Sequence, residues 1–248
     1  YDTFGFPLDL TQDALRSKEM SVDERGFRVA MDKQKAEARS AWVGSGSEVD
    51  DKIWFRIFDN VGATEFLGYD IEASEAKVVS IVQNDKIVEL LSEGMTGIIV
   101  VNQTPFYAEG GGQQGDSGEI FSKNGLEMRV TNTTKKNERV YAHFVEVLKG
   151  VLNLGDEVSL KIDSDRRRKL RANHSATHLL HGALRNLLGK HVAQKGSLVA
   201  SDRLRFDISH LKAIQTSELY LIEAEVNQQI FGNFKVATRL MDSESAIK

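Results

Sequence analysis

Residues 1–50 have the spacing of hydrophobic and polar positions that is typical of a helix. Weakly apolar positions recur every three or four residues behind Ser21, at Phe27, Ala30, Met31, Gln34 and Ala38. Ser21 and Glu24 form a capping box at the predicted helix start. The Gly- and Ser-rich residues 44–47 predict the end of the helix and a flexible linker. This segment is too short and polar to close its own core, so we expect it to dock elsewhere.

The pattern then changes to that of short strands, which predicts a small β-barrel over residues 51–162. β-Branched residues are concentrated in residues 77–82 and 97–101, and each run is bounded by turn-forming residues. Further short strands are predicted near residues 118–121, 126–130, 138–144 and 158–162. Asn124-Gly125 indicates a two-residue hairpin turn. Many short strands with regular turns are typical of a barrel.

The last part, residues 163–248, mixes helices and strands. Asp163 or Ser164 can cap a helix that runs to about Leu188 and ends at Gly189. A strand is predicted over residues 204–208, and a second helix starts at Thr216 or Ser217. The expected fold class of the whole chain is therefore α+β in three parts: a helical segment, a β-barrel and an α+β region.

Composition excludes several classes of protein, and the charge distribution points to a polyanion. The 248 residues are 41% hydrophobic and 27% charged, and they include no Cys, so a disulfide framework is excluded. There is neither a secretory signal nor an apolar run long enough to span a membrane, so we expect a cytoplasmic protein without a membrane partner. Residues 1–160 contain 17 basic and 27 acidic side chains, whereas residues 161–248 contain 15 and 9. The basic last third favours nucleic acid as a partner, unless its charges cluster by chance.

Three histidines follow one face of the predicted helix over residues 163–188. His174, His178 and His181 fall within about 60° of one another at 100° per residue. Imidazoles at i and i+4 can bind one metal ion, and zinc would need two further ligands. Buried, hydrogen-bonded histidines are the equally weighted alternative. A zinc protease has Glu after the first His, whereas this chain has Ser175 there.

A basic run opens the same predicted helix. Five of six consecutive residues are cationic: Arg166, Arg167, Arg168, Lys169 and Arg171. Such a run is usually a solvated surface, and near a helix N-terminus it opposes the macrodipole. Because it lies within two turns of the histidines, the run is also consistent with a role in binding phosphate beside a reactive centre.

A glycine-rich segment, residues 104–116, is the other candidate for binding chemistry. Four glycines within six residues allow the backbone to approach a ligand closely. The segment lacks the Lys-Ser/Thr of a phosphate-binding P-loop, and taken alone it predicts a tight barrel hairpin. The polar residues 192–199, which include Gln194, predict a loop after the histidine helix.

Five stretches together resemble the bacterial type of the alanyl-tRNA synthetase family. They are residues 1–11, 104–113, 174–181, 194–197 and 204–207, and they follow one another in the family's order over nearly the whole chain. The resemblance implies that residues 1–50 end an aminoacylation module, that the barrel is similar to those of translation factors, and that residues 163–248 begin an editing domain. The family charges tRNA(Ala) with alanine, using ATP and Mg²⁺ in a catalytic core that these residues do not cover.

The resemblance also implies a proofreading site in this region. A pocket for alanine excludes glycine and serine only weakly, so a second site hydrolyses mischarged Ser- or Gly-tRNA(Ala). By matching position, His174 and His178 are expected to bind zinc, and Thr177 and Gln194 to discriminate the serine hydroxyl. Gln113 is expected near the terminal adenosine or the ester. The basic run is expected to hold the 3′ end and acceptor stem of tRNA(Ala), with no DNA partner. Zinc either activates water or positions the 3′ end.

Two departures from the family pattern limit this expectation. The family's other two zinc ligands, in a Cys-x-x-x-His motif, lie downstream of the position of Lys248, and Gly110 stands where the family usually has Ser. His191 and His210 match no ligand position. We therefore expect a fragment with half a metal site, which binds zinc weakly or not at all and neither charges tRNA nor edits well.

Three alternatives compete with this interpretation, and the joint match of the five stretches favours the alanyl family over all of them. One is an acceptor-stem binding module without chemistry. Another is the editing domain of threonyl-tRNA synthetase, which residues 1–11 and the Gly-Gly-Gln sequence argue against. A third is a free-standing editing protein, which would lack the opening helical segment.

Overall fold

The computed structural model describes residues 22–27, 29–31, 48–235, 241–242 and 245. The chain divides into two compact units, Tyr1–Glu48 and Val49–Lys248. In the first unit, residues 24–27 and 29–31 are helical, as the sequence predicts. The helix is capped by Asp23, whose carboxylate accepts a hydrogen bond of 2.9 Å from the backbone N–H of Gly26. Ser21 and the predicted linker at residues 44–47 lie outside the described residues.

A helix lies before the first barrel strand, at the start of residues 51–162, which the sequence analysis assigns to the β-barrel. This helix, α1 (Glu48–Val61), buries Trp54 and Ile57, which lie three residues apart on one face. They pack against the outer surface of the barrel in a cluster that includes Val82, Val100 and Ala142. A helix therefore covers this side of the barrel.

The predicted β-barrel is confirmed. Eleven strands form this part of the chain: β1 (Glu65–Phe66), β2 (Ala73–Gln83), β3 (Lys86–Val88), β4 (Leu90–Ser92), β5 (Thr96–Val101), β6 (Gln103–Thr104), β7 (Gly118–Phe121), β8 (Glu127–Lys136), β9 (Val140–Lys149), β10 (Val151–Asn153) and β11 (Glu157–Ile162). Six of them, in the order β2-β5-β9-β8-β7-β11, pair antiparallel and close when β11 pairs again with β2. β3 pairs antiparallel with the C-terminal end of β2, β1 pairs with β6, and β4 pairs with β10.

Side chains alternate between the inside and the outside of the barrel, as a closed sheet requires. Ile81, Ile99, Ile120 and Met128 belong to the core that fills it. The predicted hairpin joins β7 to β8, but its turn is longer than the predicted two residues. The N–H of Gly125 donates to the carbonyl of Ser122, and Gly125 adopts a φ of 83°. An L side chain rarely adopts that conformation, which explains the glycine.

The remaining elements are two helices and one hairpin. They are α2 (Ser164–Leu188), β12 (Ala193–Val199), β13 (Leu204–Ser209) and α3 (Thr216–Gly232). α2 begins and ends as predicted, with Asp163 as its N-cap and Gly189 as its C-cap. Ala183, Leu184, Val192 and Ile222 form a small core between the helices and the hairpin. The α+β class is thereby confirmed, whereas the division at residue 163 stays a prediction. Across the described part of the chain, no helix is long and apolar enough to cross a membrane.

Candidate functional site

The candidate site centres on two histidines of α2 that face each other. His174 and His178 lie one helical turn apart, and their Nε2 atoms are 3.1 Å apart. Their ring centroids are separated by 5.0 Å. Two imidazoles bound to one tetrahedral zinc ion at about 2.0–2.1 Å each place their nitrogens about 3.4 Å apart. The pair therefore has the separation that a shared metal ion requires, with only a small adjustment of the rings.

The side chain of Gln113 reaches this pair from the barrel. Its Oε1 lies 2.6 Å from Nδ1 of His174, on the side of the ring opposite His178. Gln113 is only 5% exposed, so water does not compete freely for this contact. The structure thus brings together residues that are 61 positions apart in the chain.

The glycine-rich segment is fastened to strand β12 by backbone hydrogen bonds. The N–H of Val199 donates to the carbonyl of Gly112 over 2.7 Å, and the N–H of Gln114 donates to the carbonyl of Val199 over 3.0 Å. Gly112 has a φ of 83°, and a Cβ there would lie 2.5 Å from the carbonyl oxygen of Ser197. Only glycine allows this close approach, which fixes the position of Gln113.

The basic run divides into inward- and outward-facing side chains. Arg167 is buried, and its guanidinium pairs with Asp116 and donates to the carbonyls of Gly68 (2.8 Å) and Pro105 (2.9 Å). Arg166 donates to the carbonyl of Gly115 and to Oε1 of Gln114. These two arginines hold the start of α2 against the barrel loops. Both guanidinium groups already form hydrogen bonds to other residues of this chain. The tRNA contacts predicted for the two arginines therefore stay predictions.

The other three cations of the run, Arg168, Lys169 and Arg171, are exposed. Arg168 pairs with Asp165, which is also exposed. Arg168 and Arg171 line a cavity of about 450 Å³, together with Glu72, Ser164 and Arg167. These side chains are available to an anionic partner.

The structure places the other predicted site residues in two different settings. Thr177 directly precedes His178 in α2. It is buried, and its hydroxyl donates to the carbonyl of Asn173 over 2.8 Å. Gln194 is exposed on β12, next to a bulge in its pairing with β13. Nε2 of His181 is buried without a hydrogen-bond partner, and its ring lies against Phe206. These positions do not test the roles predicted for Thr177 and Gln194, which stay predictions.

The surroundings of His174 favour its neutral form. Burial lowers the pKa of His174 below its ordinary value, and the neighbouring His178 lowers it further. A histidine that binds a metal must be neutral, and the lowered pKa favours the neutral form of His174 at neutral pH. Within the described ranges, no group of three or more His, Asp or Glu side chains is arranged to hold a metal ion. The pair could supply two of the four ligands that a zinc ion requires.

The sequence analysis missed two residues that position this site. Asp116 anchors Arg167, and Asn173 donates from its side-chain amide to the carbonyl of Ala200 over 2.8 Å, joining α2 to the end of β12. Asp116 is the last residue of the glycine-rich segment, but a single acidic residue carries no signal of its buried partner. Asn173 precedes His174 and lacks a distinguishing pattern as well.

Comparison with known proteins identifies the family. The model of the family described as "tRNA synthetases class II (A)" matches residues 1–166. The chain belongs to this family. The chain is 52% identical over 247 residues to the proteins named alanine–tRNA ligase of Chelativorans sp. (strain BNC1) and Parvibaculum lavamentivorans. It is also 52% identical, over 248 residues, to the protein of the same name in Rhizorhabdus wittichii.

These alignments confirm the resemblance to alanyl-tRNA synthetases that the motifs suggest. Each alignment covers 100% of this chain and 28% of the relative. The chain therefore spans little more than a quarter of the length of these relatives. The family model ends at residue 166, before the histidine pair.

Proposed function

We propose that this chain is a segment of an alanine–tRNA ligase and carries part of a zinc-dependent site that hydrolyses mischarged Ser- or Gly-tRNA(Ala). The observation that carries the proposal is the facing pair of Nε2 atoms, 3.1 Å apart, of His174 and His178. The identity to three alanine–tRNA ligases supports tRNA(Ala) as the substrate and ATP-dependent charging with alanine as the activity of the longer protein.

The histidines would hold zinc through their Nε2 atoms, and two further ligands would come from outside the described residues. Zinc bound there would supply Lewis-acid chemistry at the aminoacyl ester. The chain's own side chains hold the neutral imidazole of His174 in place: Gln113 contacts its Nδ1, and burial disfavours protonation of the ring. Thr177 and Gln194 are assigned the discrimination of the serine hydroxyl by matching position alone.

The exposed cations of α2 would guide the 3′ end and acceptor stem toward the histidines. Arg168, Lys169 and Arg171 precede His174 by one to two helical turns, so phosphates bound there lie near the pair. Arg166 and Arg167 are assigned a supporting role, because their guanidinium groups already bind the barrel loops. Contacts to phosphates position a nucleic acid without reading its sequence.

Zinc titration of the 248-residue chain tests the metal site. We expect weak binding of one zinc ion, with the affinity falling at least tenfold in His174→Ala and in His178→Ala. His191→Ala is the matched control, because His191 is exposed and contacts His210 instead of the pair. Equal zinc affinity in the wild-type chain, the two site variants and the control would contradict the proposed zinc site.

A tRNA-binding module without chemistry is the second candidate, favoured by the three exposed cations. Hydrolysis of Ser-tRNA(Ala) by the longer protein distinguishes the two functions. The editing proposal predicts that His174→Ala abolishes hydrolysis while tRNA binding persists. The binding module predicts that the substitution changes neither.

A further inference from the structure

We propose that Gln113 is a positioning residue that holds His174 in the tautomer with hydrogen on Nδ1 and a free lone pair on Nε2. This inference rests on the proposed function in one respect, namely that the histidine pair binds zinc. It changes the role expected for Gln113, which the family resemblance places near the adenosine or the ester. In the structure its amide oxygen lies 2.6 Å from Nδ1 of His174.

The chemistry of the two groups determines the tautomer. An amide oxygen can only accept a hydrogen bond, so Nδ1 of His174 must be the donor. A neutral imidazole has one N–H, and its other nitrogen is then an acceptor. Nε2 of His174 consequently presents a lone pair toward His178, and Nε2 of His178 donates its hydrogen across the 3.1 Å gap.

Metal binding therefore makes different demands on the two rings. His174 already has the tautomer that a metal at Nε2 requires, whereas His178 must transfer its hydrogen from Nε2 to Nδ1. His178 is exposed, so water can mediate that transfer. Ligating histidines almost always donate their other N–H to an oxygen, and removal of that oxygen typically costs about 10–100-fold in metal affinity.

The position of Gln113 is fixed well enough for this role. Its backbone exchanges two hydrogen bonds with Gly110, of 3.0 and 3.1 Å, and bridges to Val199 of β12. The preceding Gly112 packs directly on Ser197. The barrel loop, β12 and the histidine helix are thus joined at one point, and Gln113 is the side chain that extends from it to His174.

Three variants of the 248-residue chain separate this role from a general structural one. Gln113→Leu removes the acceptor at similar side-chain size, and Gln113→Glu keeps an oxygen at the same reach. Gln114→Leu is the matched control, because Gln114 lies in the same loop but accepts its hydrogen bond from Arg166. Circular dichroism and thermal unfolding of each variant check that the fold is retained.

Two readouts follow for each variant: zinc affinity, and the His174 tautomer in the metal-free chain. The tautomer is read from long-range proton–nitrogen NMR correlations at a pH well above the ordinary imidazole value of about 6.5. We expect zinc affinity to fall about 10–100-fold in Gln113→Leu and to be kept in Gln113→Glu and Gln114→Leu. We also expect the Nδ1–H tautomer to dominate in the wild type and in Gln113→Glu, and to lose its dominance in Gln113→Leu.

The outcomes distinguish this inference from the proposed function. If the wild-type 248-residue chain binds no zinc, the histidine pair alone does not make a zinc site, and the tautomer alone then decides the role of Gln113. An unchanged tautomer in Gln113→Leu, or a loss of zinc affinity of the same size in Gln114→Leu, overturns the inference. Loss in Gln113→Leu together with recovery in Gln113→Glu supports it.

Discussion

Replacement of Arg167 should destabilise the protein far more than replacement of its neighbour in the basic run. Arg167 and Asp116 are 8% and 1% exposed at their side chains, and they form an ion pair with hydrogen bonds of 2.9 and 3.1 Å from Nε of the arginine. The guanidinium also satisfies the carbonyls of Gly68 and Pro105. Removal of one partner of a buried pair leaves an uncompensated charge and costs about 3–5 kcal/mol.

We expect Arg167→Met, which keeps the side-chain length, to lower the free energy of unfolding by about 3–5 kcal/mol. At about 2–4 °C per kcal/mol for a chain of this size, the melting temperature should fall by roughly 6–20 °C. Urea unfolding followed by tryptophan fluorescence measures the change, since Trp54 is buried against the barrel. Arg168→Met is the matched control, and its exposed pair with Asp165 should contribute no more than about 1 kcal/mol.

A double-mutant cycle isolates the pair itself. Replacement of both Arg167 and Asp116 by apolar residues of similar size should cost less than Arg167→Met alone, because no buried charge is left unpaired. A loss below about 1 kcal/mol in Arg167→Met would refute the reasoning, because that magnitude is typical of a surface pair. A surface role in tRNA binding for Arg167 would then be favoured.

Three further predictions concern other parts of the molecule. Burial lowers the pKa of His143 to about 4, below its ordinary 6.5, so the unfolded chain binds the proton more tightly. The contribution of neutral His143 to the free energy of unfolding should therefore be fully present above about pH 6.5 and fall by about 3 kcal/mol as the pH drops to about 4. Urea unfolding at several pH values measures this change, and the pH dependence should be shallower in His143→Gln. Joint replacement of Arg168, Lys169 and Arg171 by Ala should weaken tRNA binding. Filter binding at several salt concentrations should show a slope of log K against log[salt] that is shallower by about 0.9 for each duplex phosphate that the protein no longer neutralises. An unchanged slope would place the tRNA elsewhere. Gly112→Ala should displace the barrel loop from β12 and weaken zinc binding as Gln113→Leu does, and an unaltered zinc titration would contradict the close packing.

Local sequence signals were sufficient to predict several elements of this fold. The helix over Ser164–Leu188 is marked by a capping Asp163 and a terminal Gly189, and the barrel by β-branched runs between turns. The facing histidines follow from helical spacing alone, since residues i and i+4 are neighbours. Each of these features depends on residues that are close in the sequence.

The long-range pairings could not be predicted in the same way. Arg167 looks like its cationic neighbours in the sequence, and only the fold shows that its partner is Asp116, 51 residues away. The helix α1 covers the barrel through Trp54 and Ile57, two apolar residues that a short window does not distinguish from strand residues. The contact between Gln113 and His174 likewise needs the hydrogen bonds between the loop and β12.

Deacylation of Ser-tRNA(Ala) by the longer protein that contains this segment tests the central claim most directly. The rate should fall to the uncatalysed level in His174→Ala and remain at the wild-type level in His191→Ala, while the rate of alanine charging stays unchanged in both. Such a result would assign hydrolysis to the histidine pair. Wild-type deacylation in His174→Ala would contradict the account and leave α2 with a role in tRNA binding alone.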